Sequence, residues 1–204
     1  MPKIVDKAAK RREILKAAIA VFSQKGYHAT KMADIAVAAR MGKGTLYEYF
    51  PTKESLPKEI LSLFFEDSDD HLTEIKQSGL SPIEVVIAVI RLTLTEIDEI
   101  AIVTPLCFEL LGSKELDQSL GLSESFSIWL GHLSQFLAEA ILLGQSNGQI
   151  NADVNAKTFA RMLVSAVDGM GMHYCVFQVD AAFLREQFQE LETMVRQRLQ
   201  TVDS

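Results

Sequence analysis

The sequence predicts an all-α protein of nine helices, in which three N-terminal helices form a helix-turn-helix group ahead of a larger helical body. Apolar residues recur three and four positions apart along almost the whole chain, which places them on one face of an α-helix. No stretch of five or more residues alternates cleanly between apolar and polar side chains, as a half-buried strand would. We expect one domain over residues 1–54 and a second over residues 55–204.

The first predicted helix has one apolar face and a glycine stop. Its face carries Ile14, Leu15, Ala18, Ile19 and Phe22. Gly26 follows Lys25, and glycine in that place readily takes the positive-φ conformation that closes many helices. The helix is therefore expected to end there.

Two short helices follow. Thr30 is a good N-cap for the second helix, because its hydroxyl can accept a hydrogen bond from an unpaired backbone N–H. Residues 40–42 form a turn, and a third helix runs over residues 43–50 until Pro51, which cannot continue the hydrogen-bond ladder.

The fourth and fifth helices are longer. The fourth is predicted over residues 53–78 and the fifth over residues 82–99. The fifth has the clearest start in the chain, with Ser81 as cap, Pro82 at the first helical position and Glu84 completing a capping box.

Four more helices complete the body. A sixth segment over residues 100–112 contains Pro105, which we expect to kink or restart it. The seventh, eighth and ninth helices are predicted over residues 123–146, 155–177 and 181–202.

The eighth and ninth helices carry more apolar surface than one intramolecular contact needs. We interpret the surplus as a homodimer interface, in which both helices pair with their symmetry mates as a four-helix bundle. The alternative is that these helices complete the core of their own chain. The predicted interface residues are Phe159, Leu163, Ala166, Met170, Leu184, Phe188, Leu191, Val195 and Leu199.

Charge is divided unevenly along the chain. The net charge is -7, yet residues 1–60 carry +6 and the remaining residues carry −13. A basic end attracts phosphate while an acidic body repels it, which favours one docking orientation on DNA. The alternative is a chance distribution of solvated surface charge.

The second and third helices together fit a helix-turn-helix. Alanines on the inner face of the second helix let the third cross it closely and enter a major groove. Leu46 and Phe50 hold the third helix on the small core, so Lys43, Thr45 and Tyr47 face outward. Backbone amides at its start and the lysine can then meet a phosphate or a guanine edge.

This region resembles the TetR (TetR/AcrR) family of repressors. The signature of that family is similar to Thr30, Ile35-Ala36, Ala39, Lys43-Gly44-Thr45-Leu46-Tyr47, Tyr49-Phe50, Lys53-Glu54 and Leu56. The similarity is firm over residues 8–58. It implies a homodimeric repressor that binds a palindromic operator of double-stranded DNA and is released by a small-molecule effector.

The resemblance also implies individual roles in DNA binding. Phosphate contacts fall to Thr30, Tyr47 and Lys53, and base reading falls to Lys43, Gly44 and Thr45. The predicted set is completed by Lys31, Arg40, Gly42 and Tyr49, although Tyr49 can equally be a packing residue. Arg40 stands where the family has glycine, so it must accept an unusual backbone angle or use its charge on DNA.

An effector pocket inside helices four to eight is a further implication of the resemblance. The candidate lining residues are Phe64, Phe65, Phe108, Trp129, Phe136, Met170, His173, Tyr174 and Phe177. Each is also an ordinary core residue type. Glu109 and Asp168 lie inside apolar segments, where they can receive a cationic ligand or be held by salt bridges or hydrogen bonds.

Other classes of function have less support. Cys107 and Cys175 lack metal-site spacing and indicate reduced, buried thiols, and the charged N-terminus indicates a cytoplasmic protein rather than a secreted or membrane one. No nucleophile with its base and no cofactor loop is present, so we expect neither an enzyme nor a cofactor or metal. A helical scaffold that no longer reads DNA is the alternative.

Overall fold

The computed structural model describes residues 6–201, and the all-α prediction is confirmed for them. They form ten helices: α1 (Lys7–Lys25), α2 (Met32–Ala38), α3 (Lys43–Tyr49), α4 (Ser55–Gln77), α5 (Pro82–Thr95), α6 (Ile97–Gly112), α7 (Lys114–Leu120), α8 (Leu122–Ser146), α9 (Ala156–Phe177) and α10 (Ala181–Leu199). The predicted eighth and ninth helices are thus α9 and α10.

The helix that the sequence prediction lacked is α7. The apolar pattern did not reveal it because it has only two turns. Ser113 caps it by accepting a hydrogen bond from the Leu116 N–H, and Gly121 ends it in the left-handed conformation. Of the two alternatives for Pro105, a kink or a restart of the sixth helix, the restart is wrong, since α6 continues through the proline. Leu106 and Leu110 are buried beside it, and their packing offsets the lost backbone hydrogen bond.

Helix caps follow the predictions in part. Ser81 caps α5 with Pro82 in the first turn, as predicted. The Glu84 carboxylate does not close the capping box; it forms a bidentate pair with Arg196 of α10. Thr30 is not the cap of α2, because the helix begins one residue later with Lys31 at the cap position.

The first compact unit contains the described residues up to 66 together with residues 102–123. It therefore holds α1, α2, α3 and α7 with parts of α4 and α6. Its core is built from large apolar side chains that are almost fully buried, including Ile14, Phe22, Ile35, Leu46, Phe50, Leu56, Ile60 and Leu110. The predicted domain boundary between residues 54 and 55 stays a prediction.

The second compact unit contains residues 67–101 and the described residues from 124 onward. Its core unites α5, α8, α9 and α10, with Val86, Ile87, Ile141, Ala160 and Leu199 buried. Two ion pairs join α5 to α10: the Arg196–Glu84 pair and a bidentate pair between Arg91 and Glu192 at 2.7 and 2.9 Å.

Five of the nine residues predicted for the dimer interface lie in the core of their own chain. These are Leu163, Leu184, Phe188, Val195 and Leu199, each at most 4% exposed. Phe159, Met170 and Leu191 are partly buried against the same core, and Ala166 is exposed. The apolar stripe of α10 therefore faces its own core, because α5 and α9 already cover it.

Helix α8 is the described helix that is long and apolar enough to cross a membrane by length and composition alone. Part of its apolar surface has another use, since Leu137, Ala138 and Ile141 are buried in the core of the second unit. An apolar helix of a protein core passes the same test, so it is weak support for a membrane span.

The cysteines and other potential metal ligands form no candidate site within residues 6–201. Neither Cys107 nor Cys175 is in a disulfide, and no group of three His, Cys, Asp or Glu residues could hold an ion there. Burial raises the pKa of the Cys107 thiol to about 12, so at neutral pH it carries no reactive thiolate.

Candidate nucleic-acid interface

Helix α3 has a buried face and an exposed face, as the helix-turn-helix interpretation requires. Leu46 within the helix and Phe50 just after it are fully buried, and Gly42 occupies the N-cap position in an extended conformation. The remaining side of the helix is open to solvent. It presents Lys43, Gly44, Thr45, Tyr47 and Glu48.

Two outward side chains of α3 contact each other. The Lys43 ammonium lies 5.8 Å from the centroid of the Tyr47 ring, which is 42% exposed. This cation–π contact holds both polar ends on one side of the helix. The pair presents a positive charge and a hydroxyl together, which suits a phosphate or a base edge.

Tyr49 occupies a different environment from Tyr47. It is half-buried, and its backbone carbonyl accepts a hydrogen bond from Arg11 of α1 at 3.0 Å. The Arg11 guanidinium also pairs with Glu59 and lies 4.5 Å from the Phe50 ring centroid. Arg11 thus ties the end of α3 to α1 and α4, a role that no local sequence pattern indicated.

Arg40 adopts a left-handed backbone conformation, with φ at +52°. It closes the turn between α2 and α3, and its N–H donates to the Val37 carbonyl at 3.1 Å. A residue with a Cβ atom pays a steric cost in this region. The side chain is exposed, so the position combines backbone strain with an exposed cation beside α3.

Replacing Arg40 with glycine is expected to stabilise the fold by about 0.5–1 kcal/mol, because glycine takes positive φ without strain but loses more chain entropy on folding. The same change should weaken DNA binding and lower the slope of log K against log salt by about 0.9 if the arginine contacts one phosphate. Urea denaturation and a salt series measure the two effects. Arg40→Lys is the control: it keeps charge and strain, so a similar gain in stability there would contradict the interpretation.

The segment between α1 and α2 is held by side chains rather than by helix hydrogen bonds. The Lys53 ammonium donates to the carbonyls of Tyr27 at 2.9 Å and Thr30 at 3.1 Å, with a longer contact of 3.4 Å to that of His28. The Thr30 hydroxyl donates to the Gly26 carbonyl at 2.7 Å, and its side chain is buried. Two side chains assigned to phosphate contacts therefore have internal partners.

A carboxylate from α6 binds the same segment. Glu109 accepts hydrogen bonds from the backbone N–H groups of Tyr27 at 2.7 Å and His28 at 3.1 Å, one on each oxygen. The sequence marked this residue as a carboxylate in an apolar segment. The structure gives it backbone amide partners, which is the hydrogen-bonded alternative.

The Tyr27 side chain fills the space beneath this segment. It is 2% exposed, and its ring contacts those of Phe22 and His28 and lies under the Lys53 ammonium at 4.4 Å. Burial, reinforced by the charges of Glu54 and Glu109, raises the pKa of Tyr27 to about 12. The phenol is therefore neutral at physiological pH and serves as a packing residue.

Comparison with known proteins shows the family. The family model described as bacterial regulatory proteins, tetR family, matches residues 14–60. The Fatty acid metabolism regulator protein of Bacillus subtilis is 30% identical over 167 residues, which are 79% of this chain and 81% of that protein. The chain belongs to the TetR family. The HTH-type transcriptional repressor KstR2 of Rhodococcus jostii is 29% identical, over 77% of this chain and 76% of that protein.

The fold is also that of solved TetR-family structures. A TetR transcriptional regulator from Chloroflexus aurantiacus superimposes with a TM-score of 0.76 at 19% identity, covering 96% of this chain and 98% of the other. The protein is therefore a DNA-binding regulator of the TetR family and not an enzyme. The exposed face of α3, with Lys43, Thr45 and Tyr47, is the candidate surface for DNA.

The residues predicted for a TetR-family effector pocket lie in several environments. Phe108, His173 and Phe177 are exposed, the last at 63%. Phe136, Met170 and Tyr174 are partly buried against the core of the second unit, where the Tyr174 hydroxyl donates to Asp98 at 3.0 Å. Phe64, Phe65 and Trp129 are half-buried.

Proposed function

We propose that this TetR-family protein is a cytoplasmic repressor that binds a palindromic operator as a homodimer through α3 and is released by a small molecule bound in its second unit. The observation that carries the proposal is the two-sided character of α3. Its apolar side is fully buried through Leu46, and its other side presents a lysine, a threonine and a tyrosine to solvent. A helix with these properties fits a major groove.

The proposed DNA contacts differ from those that the family resemblance alone implies. Thr30 and Lys53 are left out, because their polar groups are engaged by backbone carbonyls. Tyr49 is left out because it is half-buried. The proposed contacts to bases and phosphates, all of them exposed, are Lys31, Arg40, Gly42, Lys43, Gly44, Thr45 and Tyr47. Lys53 is proposed to support these contacts by holding the segment between α1 and α2.

The proposed dimer surface is the exposed stripe of α9, on the side opposite its buried residues. We define this stripe as Met162, Ala166, Gly169, His173 and Val176, which follow one another at helical spacing; all but the half-buried Gly169 are exposed. Most of them are small or apolar, and Met162 is 60% exposed. Small residues allow a second helix to approach closely.

Helix α10 is proposed to contribute to the same dimer surface through side chains that lie beside its core-facing stripe. Phe183 and Met194 are 54% and 58% exposed and lie about a third of a turn from the centre of the buried stripe. Large apolar side chains exposed on two neighbouring helices indicate contact with another protein surface. Two α3 helices of a dimer can then meet successive half-sites about 34–36 Å apart.

The effector part of the proposal has two supports. The second unit contains half-buried aromatic and sulfur-containing side chains, among them Trp129, Phe136 and Met170, which suit an apolar small molecule. The Bacillus subtilis relative is named for the regulation of fatty acid metabolism, in which apolar metabolites are common. An effector can be identified by experiment, because its addition would release the protein from DNA.

The experiment that tests the proposal is binding to DNA that carries the upstream region of the protein's own gene, over a salt series. The double variant Lys43→Ala with Tyr47→Ala is expected to bind that DNA about a hundredfold more weakly, because it loses base and phosphate contacts of α3. The salt dependence should become shallower by about one to two units of slope. Fluorescence anisotropy with labelled duplex measures both.

The matched control is Lys76→Ala, which removes an exposed lysine in the last turn of α4. It should bind DNA as the unaltered protein does. Unchanged affinity of the double variant would contradict the assignment of α3 as the reading helix.

A further inference from the structure

We propose that Glu109 of α6 is a positioning residue for DNA recognition, acting through the segment between α1 and α2. The proposal rests on the proposed function, since it concerns how α3 is presented to DNA. This role requires no contact between Glu109 and DNA. Its carboxylate fixes the backbone from which the reading helices start.

The first support is the geometry of the carboxylate. One oxygen accepts the Tyr27 N–H at 2.7 Å and the other accepts the His28 N–H at 3.1 Å, so two consecutive amides are bound by one side chain. Hydrogen bonds to a charged group are stronger than those between neutral groups. The residues that meet are 81 and 82 positions apart in sequence.

The second support is that side chains bind both the N–H groups and the carbonyls of the segment. Its N–H groups are bound by the Glu109 carboxylate, while the carbonyls of Tyr27 and Thr30 are bound by the Lys53 ammonium. An anion at the donor end and a cation at the acceptor end polarise the intervening peptide groups in the same sense. We name Glu109, Lys53 and the segment 26–30 the backbone clasp.

The third support is the position of the clasp in the reading unit. Thr30 is followed directly by Lys31, the cap of α2, and α2 packs on α3. A displacement of the segment would therefore move the start of α2 and, with it, the exposed face of α3. Glu109 is itself held in place, because its neighbours Leu106 and Leu110 are buried in the same unit.

A variant that removes the Glu109 charge and keeps the side-chain shape separates the positioning of the reading helices from the overall stability of the fold. Glu109→Gln replaces one acceptor oxygen with an NH₂ donor that faces a backbone N–H. We expect affinity for the upstream DNA to fall roughly tenfold, as for loss of a charge-assisted hydrogen bond. Affinity for an unrelated duplex of equal length should stay within about twofold, because non-specific binding depends on charge rather than on the orientation of α3.

The charge-matched control is Glu74→Gln, which neutralises an exposed carboxylate of α4 outside the clasp. Both variants change the net charge equally, so any difference between them belongs to the clasp. Amide resonances of Tyr27 and His28 in an NMR spectrum give a second readout. They should move upfield in Glu109→Gln and stay in place in Glu74→Gln.

Two results would overturn the proposal. One is equal affinity of Glu109→Gln and Glu74→Gln for the upstream DNA. The other is an equal loss on both duplexes together with a large fall in melting temperature, which would show a structural role alone. Failure of the unaltered protein to prefer the upstream DNA would instead contradict the proposed function, and the amide resonances would still report on the clasp.

Discussion

Replacing Ala166 with arginine is expected to turn the proposed dimer into monomers and to weaken operator binding by at least about a hundredfold. Ala166 lies in the exposed stripe of α9, between Met162 and Gly169 in the helical spacing. A charged side chain there would have to be buried without a partner when the two stripes meet. A monomer then engages one half-site and loses the gain in affinity that linkage of two sites provides.

Sedimentation equilibrium measures the oligomeric state, and anisotropy with the same DNA measures the affinity. Ala152→Arg is the matched control, because Ala152 is exposed in the turn before α9 and outside the stripe. It should remain dimeric and bind DNA normally. Circular dichroism confirms that both variants are folded. A dimeric Ala166→Arg protein with full affinity would move the interface to another surface.

Replacing Gly26 with alanine should destabilise the protein by about 2 kcal/mol. Gly26 ends α1 with φ at +76° and ψ at 160°, a combination that is essentially restricted to glycine. A Cβ atom there would also lie 3.3 Å from a Glu109 carboxylate oxygen, which is tight. Backbone strain and displacement of the carboxylate both lower the stability of the variant.

Gly44→Ala, in the same unit, is expected to change the stability of the fold in the opposite direction. Gly44 lies inside α3, and a Cβ atom added to it meets nothing within 4 Å. Alanine favours helix over glycine, so this variant should gain about 0.5–1 kcal/mol while losing DNA affinity through the blocked face. Urea denaturation of both proteins tests the pair. A smaller loss for Gly26→Ala than for an average surface substitution would contradict the strain argument.

Local chemistry explains why much of the fold could be predicted from sequence. The Ser81 cap with Pro82 and the glycine stop at Gly26 depend on residues within one turn of each other. The burial of Leu46 and Phe50 followed from their spacing of four in a short helix. These features need no information about distant parts of the chain.

The backbone clasp was not predictable for the opposite reason. Thr30 and Lys53 are polar residues beside the reading helix, and sequence alone does not show that their donors are used by carbonyls. Glu109 comes from a helix about 80 residues away, and its partners are backbone amides, which every residue but proline carries. A carboxylate in an apolar segment was the one signal available.

The dimer prediction shows a further limit of periodicity. The stripe of Leu184, Phe188 and Leu199 has the spacing expected of a helix–helix interface. It does pack against other helices, but these belong to the core of its own chain. An apolar stripe reports that a face is covered and does not report by what. The exposed stripe of α9 differs from the buried one in its burial, which periodicity does not encode.

The interleaving of the two units sets an order on their formation during synthesis. The Tyr27 and His28 amides precede the carboxylate that binds them by 82 and 81 residues. At about 5–20 residues per second, a ribosome needs roughly 4–16 s to make that stretch. Throughout this interval the nascent reading helices exist without Glu109, and the chain segment that belongs to the second unit emerges in between. The reading unit is therefore completed on the timescale of translation rather than on that of helix formation.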